Sequence, residues 1–181
     1  MVRPSLSREA HIVAGFPGVG KSRVTREGKA LGMGRAVMDL DSSSFSWGQD
    51  GLRNPHFVRD YVDAIVEKAR EPGIVLVSTH AEVREELVRR GVDFTLVYPS
   101  KDLKDEYIQR MKSRGTLALA ELFHREWDEL VQSCIDQRDC QHYVLKSGRY
   151  LEVDDLVWFC SGVEEPGIYE LQDGKYIREA E

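Results

Sequence analysis

Residues Gly15 to Ser22 read Gly-Phe-Pro-Gly-Val-Gly-Lys-Ser, which matches the phosphate-binding pattern G-x-x-x-x-G-K-[ST]. In this pattern the glycines let backbone N–H groups turn toward phosphates, and the next helix adds the positive end of its dipole. The lysine, Lys21, reaches the β- and γ-phosphates, and the hydroxyl of Ser22 is a ligand for Mg²⁺. An apolar strand precedes the motif and a helix-competent stretch, Arg23 to Leu31, follows it. We therefore predict that a nucleoside triphosphate such as ATP, with Mg²⁺, contacts Gly15, Phe16, Pro17, Gly18, Val19, Gly20, Lys21, Ser22 and Arg23.

Two carboxylates, Asp39 and Asp41, follow the second predicted strand, residues 35–39. Residues two apart on a strand share a face, and the carboxyl ends of parallel strands line the ligand crevice of open α/β sheets. A carboxylate at this place can accept a proton from an acceptor hydroxyl and orient it toward the γ-phosphate. Asp39 is also a candidate metal ligand beside Ser22. The alternative is that both carboxylates cap the turn at residues 42–44.

A basic segment, residues 101–114, carries Arg110 and Arg114, which are four apart and share a helix face. A Gly-Thr break at residues 115–116 follows. This arrangement is typical of a mobile lid, about residues 101–116, that closes over the nucleotide and neutralises developing charge. The alternative is a solvated helix face on which Asp105 and Glu106 pair with these bases.

Strands alternate with helices along the chain, which predicts an α/β fold with a parallel sheet and right-handed crossovers. The expected strands after the second are residues 74–78, 94–98 and 142–145; the expected helices are an amphipathic one opened by Asn54-Pro55, then 81–90, 101–114 and 117–138. Strand 74–78 ends in Ser-Thr-His without the acid that motor ATPases carry there, which favours phosphoryl transfer over mechanical work. His80, at this strand end, either lies near the γ-phosphate or caps the following helix.

The C-terminal segment has a hairpin pattern. Residues 168–172 and 175–177 flank Asp173-Gly174, a strong two-residue turn signal, and residues 153–160 suit a short helix. The hairpin either covers a sheet edge, forms a dimer contact, or packs as an appendage.

Composition limits the possible classes of protein. The 181 residues are 41% hydrophobic, enough for one core, and the net charge of −6 argues against a protein that coats nucleic acid through bulk electrostatics. Three cysteines without a C-x-x-C pair suggest neither a zinc site nor a disulfide framework. We found no signal peptide or membrane-length apolar run, so we expect a soluble, cytoplasmic monomer or homodimer.

Taken together, several motifs resemble those of small phage P-loop kinases, a group that includes the 5-hydroxymethyluracil DNA kinases. The resemblance covers about residues 11–152 and is carried by the phosphate loop, Asp-Leu-Asp-Ser-Ser, Val-Ser-Thr-His, Tyr98-Pro99, residues 103–107, Arg110, Arg114-Gly115 and residues 145–148. It implies a three-layer P-loop kinase fold with helices on both faces of a parallel five-stranded sheet of order 2-3-1-4-5. The domain would span residues 1–162, with residues 163–181 as a hairpin appendage. In a phage-encoded protein the location would be the host cytoplasm.

The resemblance also implies roles for particular residues. Asp41 maps onto the general base, Arg110 and Arg114 onto the lid arginines, and residues 146–149 onto the loop that runs past the adenine. The expected acceptor is 5-hydroxymethyluracil in DNA, with the base flipped out to reach the γ-phosphate.

The acceptor pocket is expected between Asp41 and the amphipathic helix. Asp39, Phe45 and Trp47 are its candidate residues, and the two aromatic side chains either stack a base or belong to the core under a loop. A basic acceptor clamp of the Asp-Gly-x-x-Arg type is missing, and Arg53 and Arg59 are possible substitutes. A deoxynucleoside monophosphate or another small molecule is the alternative acceptor. A nucleotide-dependent switch and a non-catalytic nucleotide-binding module are the alternatives to a kinase.

Overall fold

A computed structural model describes residues 10–30, 36–48, 50–161, 168–172 and 175–178. The strands are β1 (His11–Gly15), β2 (Ala36–Asp39), β3 (Gly73–Val77), β4 (Thr95–Pro99), β5 (Gln141–Leu145), β6 (Ile168–Gln172) and β7 (Lys175–Arg178). The helices are α1 (Lys21–Ala30), α2 (Ser43–Ser46), α3 (Phe57–Ala69), α4 (Ala81–Arg89), α5 (Lys104–Ser113), α6 (Leu117–Ile135) and α7 (Val153–Cys160), with a 3-10 turn at Lys101–Leu103 before α5. None of the helices in these ranges is long and apolar enough to cross a membrane.

The strands form one sheet in the order β2-β3-β1-β4-β5-β6-β7, and all neighbours are parallel except β6 and β7. The predicted α/β class and parallel core are confirmed. The prediction of a five-stranded sheet ending at β5 is wrong, because β6 pairs with β5 through His142 and Tyr143. The exposed backbone groups of an edge strand favour such pairing. The predicted hairpin strands therefore extend the sheet, while the turn residues Asp173-Gly174 lie outside the described residues.

Helices cover both faces of the sheet, as predicted. On one face the ring of Tyr143 packs against Phe159 of α7. The next residue back along β5, His142, points to the opposite face, where its imidazole contacts the Gln137 carbonyl just after α6. Side chains alternate along a strand, so α6 and α7 lie on opposite faces. Arg84 of α4 donates to Ser133 of α6, which places α4 in the same layer as α6.

The element boundaries follow the sequence pattern closely. All five residues of β3 and of β4 are buried, as a continuous apolar run predicts for central parallel strands. The Gly115 break between α5 and α6 is confirmed, and Gly115 has a φ of +74°. The helix expected to reach Arg138 ends at Ile135, and α2 was not predicted. Leu31 and Arg35, which the predicted first helix and second strand included, lie outside the described residues.

Candidate functional site

A cleft of about 840 Å³ opens at the carboxyl ends of β1, β2 and β3, a volume in the range of small-ligand pockets. Its walls come from the phosphate loop with the start of α1, the loops after β2 and β3, the end of α5 with the segment that joins it to α6, and the loop after β5. The lining residues are Gly15, Pro17, Gly18, Gly20, Lys21, Ser22, Arg23, Arg26, Asp39, Leu40, Asp41, Ser42, Ser78, His80, Met111, Arg114, Thr116, Leu119 and Tyr150.

The phosphate loop has the backbone conformation that its glycines allow. Gly18 and Gly20 have φ values of +90° and +107°, a region that other residues rarely adopt. A Cβ atom on Gly18 would also lie 2.8 Å from Cε of Met111. α1 begins within the motif, at Lys21, and has no acidic residue in its first turn. Its N-terminus lines the cleft through Lys21 and Ser22, and the positive end of the helix dipole there favours an anion.

Lys21 is folded back onto the loop. Its ammonium group donates a hydrogen bond to the Gly15 carbonyl over 2.5 Å. Burial lowers the pKa of Lys21 to about 8, although the nearby carboxylates of Asp39 and Asp41 raise it and the Arg114 guanidinium lowers it further. The charges of these four side chains are thus close enough to influence one another. An incoming phosphate would give the ammonium a counter-charge in place of a neutral carbonyl.

Ser22 and Asp39 contact each other across the base of the cleft. The Ser22 hydroxyl donates to Oδ2 of Asp39 over 3.0 Å. A hydroxyl and a carboxylate are the hard oxygen donors that Mg²⁺ prefers, and Mg²⁺ sites usually combine one or two protein ligands with phosphate oxygens and water. These two residues fit that donor set. The described residues contain no cluster of three or more His, Cys, Asp or Glu side chains arranged for a metal.

Asp41 lines the cleft and also caps the serine turn. Its Oδ1 accepts a hydrogen bond from the Ser43 backbone N–H over 2.9 Å, at the start of α2. The alternative in which both carboxylates cap the serine turn therefore holds for Oδ1 of Asp41. It does not hold for Asp39, whose Oδ2 accepts a hydrogen bond from Ser22. Asp41 is exposed, so its carboxylate is accessible to a ligand in the cleft.

The loop after β3 contributes Ser78 and His80. The hydroxyl of Ser78 is buried and is one of the few side-chain oxygens among the described residues without a hydrogen-bond partner. His80 is the N-cap residue of α4, but its side chain makes no capping bond. The imidazole Nε2 lies 3.4 Å from the Ser42 hydroxyl instead, and the ring packs edge-on against Phe57. Of the two alternatives for His80, the side-chain cap of α4 is therefore not the arrangement seen.

Arg110 is committed to protein contacts. Its side chain is buried, lies over the rings of Tyr107 (4.4 Å) and Tyr150 (3.9 Å), and pairs with Glu106. The guanidinium donates to the Gly18 carbonyl (3.2 Å) and to the Arg149 carbonyl (2.8 Å). Arg110 therefore joins α5 to the phosphate loop and to the loop after β5. The structure does not bring it into the lining of the cleft.

Arg114, one turn further along, does line the cleft. It ends α5, next to the Gly115 break. The rest of α5 is packed: Tyr107 and Met111 are buried beneath the phosphate loop and against α6. In this conformation the segment predicted as a lid forms one wall of the cleft. The alternative in which Glu106 pairs with a base of its own helix holds for Arg110 but not for Arg114.

The phosphate loop is hydrogen-bonded to the segment that follows β5. The Leu151 N–H donates to the Val19 carbonyl of the phosphate loop over 2.7 Å. Nearby, the buried carboxylate of Asp155 accepts from the hydroxyls of Tyr143 (2.8 Å) and Tyr176 (2.9 Å). Because Tyr176 belongs to β7, the C-terminal hairpin contacts the elements that carry the loop after β5.

Four residues predicted to contact a ligand have side chains elsewhere. Phe16 and Val19 are buried in the core, and Phe16 stacks on Phe123, so only their backbone groups can serve the phosphate loop. Phe45 is half-buried and its ring packs against Tyr61, as in the core alternative for this residue. Trp47 is 63% exposed and lies outside the described lining of the cleft.

Several cleft-lining residues were not nominated from the sequence, among them Arg26, Ser42, Ser78 and Tyr150. Arg26 is one helical turn after Ser22, and this spacing alone places both on one face of α1. Tyr150 directly follows residues 146–149, the loop expected near the adenine. Its ring lies over the guanidinium of Arg110, and Arg23 approaches it to 5.4 Å.

The sequence matches no protein-family model and no curated protein.

Proposed function

We propose that the protein is an ATP-dependent kinase that transfers the γ-phosphate to a hydroxyl group of a nucleotide-type acceptor. One observation carries the proposal. Lys21, Ser22, Asp39, Asp41 and Arg114, which come from three separate segments of the chain, line a single cleft at the start of α1. Phosphoryl transfer needs positioned cations, a metal-binding hydroxyl and a carboxylate near the acceptor, and little else from the protein.

Each side chain has a role in the proposed reaction. Lys21 and the N–H groups of the phosphate loop bind the β- and γ-phosphates, and Arg114 balances charge that develops on the transferred group. Ser22 and Asp39 would hold Mg²⁺, which neutralises phosphate charge when bound. Asp41 orients the acceptor hydroxyl and takes its proton as the oxygen forms its bond to the γ-phosphorus and the bond to the β-phosphate oxygen breaks. ADP leaves with the cleaved oxygen.

The acceptor we favour is 5-hydroxymethyluracil in DNA, in which the base is unstacked before transfer. Among the described residues, the wall formed by the loops after β2 and β3 carries two carboxylates and neither Lys nor Arg. This wall suits an uncharged hydroxymethyl group better than the phosphate of a nucleoside monophosphate. Two large apolar side chains, Trp47 and Leu52, are 63% and 67% exposed on the loop between α2 and α3. The exposed indole ring of Trp47 can stack on an unpaired base, at about 1–3 kcal/mol per base.

Two alternatives make different predictions. A deoxynucleoside monophosphate kinase would need a cation for the acceptor phosphate, and Arg26 is a cleft-lining cation that could supply one. A nucleotide-dependent switch would hydrolyse ATP at a rate that is independent of any acceptor.

Transfer of ³²P from [γ-³²P]ATP tests the proposal. The acceptors are single- and double-stranded oligonucleotides with one 5-hydroxymethyluracil, matched thymine oligonucleotides, and each deoxynucleoside monophosphate. We expect label on the hydroxymethyluracil strands only. Label on a monophosphate would replace the proposed acceptor but keep the kinase, whereas acceptor-independent release of phosphate would overturn the kinase.

A further inference from the structure

His80 lines the cleft beside Asp41 and Ser42, and the proposed reaction gives its side chain no role. Its position is defined by contacts on two sides. Nε2 is 3.4 Å from the Ser42 hydroxyl, and the ring centroid is 5.2 Å from that of Phe57 in an edge-on arrangement. The imidazole is thus held in the cleft and does not cap α4.

The surroundings of His80 favour an uncharged ring. Partial desolvation lowers the pKa of His80 below its ordinary value, Glu82 of α4 raises it, and the cations Arg53 and Lys21 lower it. A neutral imidazole both donates and accepts hydrogen bonds, and it suits an uncharged polar group better than an anion. Ser42 is a partner that a ligand can replace at small cost, because 3.4 Å is a long hydrogen bond.

A second polar group at the same wall is ready for a ligand. Ser78 precedes His80 by two residues, lines the cleft, and its buried hydroxyl has no hydrogen-bond partner among the described residues. A buried polar group without a partner costs free energy, and a bound molecule can recover that cost. His80, Ser42 and Ser78 therefore form a neutral hydrogen-bonding surface next to the carboxylate of Asp41.

We propose that His80, with Ser42 and Ser78, binds the uncharged polar edge of the phosphoryl acceptor and thereby determines which acceptor is used. This inference rests on the proposed kinase function and assigns a recognition surface to the part of the site that binds the acceptor. Asp41 still orients the reacting hydroxyl and takes its proton, while His80 forms a hydrogen bond with a neighbouring carbonyl, amide or hydroxyl of the acceptor. His80 is a specificity residue in this assignment and takes no proton.

Steady-state kinetics of two His80 variants test the assignment, with the acceptor that the labelling experiment identifies. H80F keeps the ring and its packing on Phe57 but removes both nitrogens, and H80Q restores a donor and an acceptor. H56F is the matched control, because His56 is an exposed histidine outside the lining of the cleft. We expect H80F to raise KM for the acceptor about tenfold, the value of one net hydrogen bond, with kcat and the Kd for ATP nearly unchanged.

Three further results complete the test. H80Q should recover part of the loss, which a purely structural role would not explain. In the wild type, KM for the acceptor should rise as the pH falls below the lowered pKa of His80, since protonation removes the accepting nitrogen, and this rise should be absent in H80F. An unchanged KM in H80F, or an equal loss of ATP affinity, would overturn the assignment and leave the kinase intact. If the wild type transfers phosphate to no acceptor, both proposals fail.

Discussion

The Ser22 hydroxyl donates a hydrogen bond to Oδ2 of Asp39 over 3.0 Å, which joins the first turn of α1 to the carboxyl end of β2. The two residues are 17 apart in sequence. They are the two side chains that the sequence nominates as metal ligands, and the fold brings their oxygens together at the base of the cleft. The Ser22 hydroxyl oxygen and the Asp39 carboxylate oxygen could each bind a cation once phosphate oxygens occupy the cleft.

Replacement of Asp39 tests this pair. We expect Asp39→Asn to increase the Mg²⁺ concentration needed for half-maximal transfer by about tenfold, the usual effect of losing one supporting oxygen at a metal site. The measurement is transfer rate against Mg²⁺ at saturating ATP. A lower rate at every Mg²⁺ concentration with an unchanged midpoint would mean that Asp39 acts on the acceptor instead.

Lys21 carries the triphosphate contact in our assignment. Lys21→Ala should abolish transfer and weaken ATP binding while the protein stays folded, because within the described part of the chain the ammonium group gives up one hydrogen bond, to the Gly15 carbonyl. Lys68→Ala, an exposed lysine on α3, is the matched control and should change neither property. ATP titration followed by calorimetry, together with circular dichroism, measures both effects. Normal turnover in folded Lys21→Ala would end the kinase proposal.

The pKa of Lys21 predicts a pH dependence of ATP binding. Burial lowers this pKa to about 8 in the unliganded protein, so the ammonium loses its proton as the pH rises above 8. Phosphate binds the protonated form, and the proton must be regained above that pH. The Kd for ATP should therefore be flat below pH 7.5 and rise above pH 8.5, by up to about tenfold per unit. Lys21→Arg, which stays charged, should remove the rise.

The proposed role of Asp41 as general base is tested by comparison with Asp50, a carboxylate in the same local geometry. Asp41→Asn should lower transfer by about 10²- to 10⁴-fold, the usual contribution of a general base, with ATP affinity nearly unchanged. Asp50 is the control, because its Oδ1 caps the backbone N–H two residues later, at Leu52, just as Asp41 caps Ser43. Asp50→Asn should leave transfer intact. If both variants behave alike, Asp41 only caps its turn.

The two arginines of α5 should respond differently to the same substitution. Arg110→Met breaks a buried ion pair and two hydrogen bonds to backbone carbonyls, and should lower the free energy of unfolding by about 3 kcal/mol. Arg114→Met should leave stability within about 0.5 kcal/mol and reduce transfer strongly, since Arg114 lines the cleft. Urea unfolding and transfer rates measure the two effects. Equal stability losses would refute this separation.

The sequence alone determined the local features of the site. The phosphate loop could be predicted because its chemistry resides in consecutive residues: two glycines with positive φ and a Lys-Ser pair at the start of a helix. The α/β class followed from the alternation of strand and helix patterns along the chain. The burial of β3 and β4 followed from their continuous runs of apolar residues. The Gly115 break was equally local, because a glycine with positive φ ends a helix by itself.

The tertiary structure decided the features that depend on residues distant in sequence. Arg110 and Arg114 share a helix face in the sequence pattern, yet packing of Tyr107, Tyr150 and the phosphate loop around α5 buries the first and leaves the second at the cleft. The sequence left two alternatives for His80, because the choice between capping α4 and facing Ser42 depends on the loop after β2, which is distant in sequence. The hairpin joined the sheet because β5 offered it an unpaired edge. Periodicity reports which residues are buried, whereas the partner that buries each one is set by the packing of the whole chain.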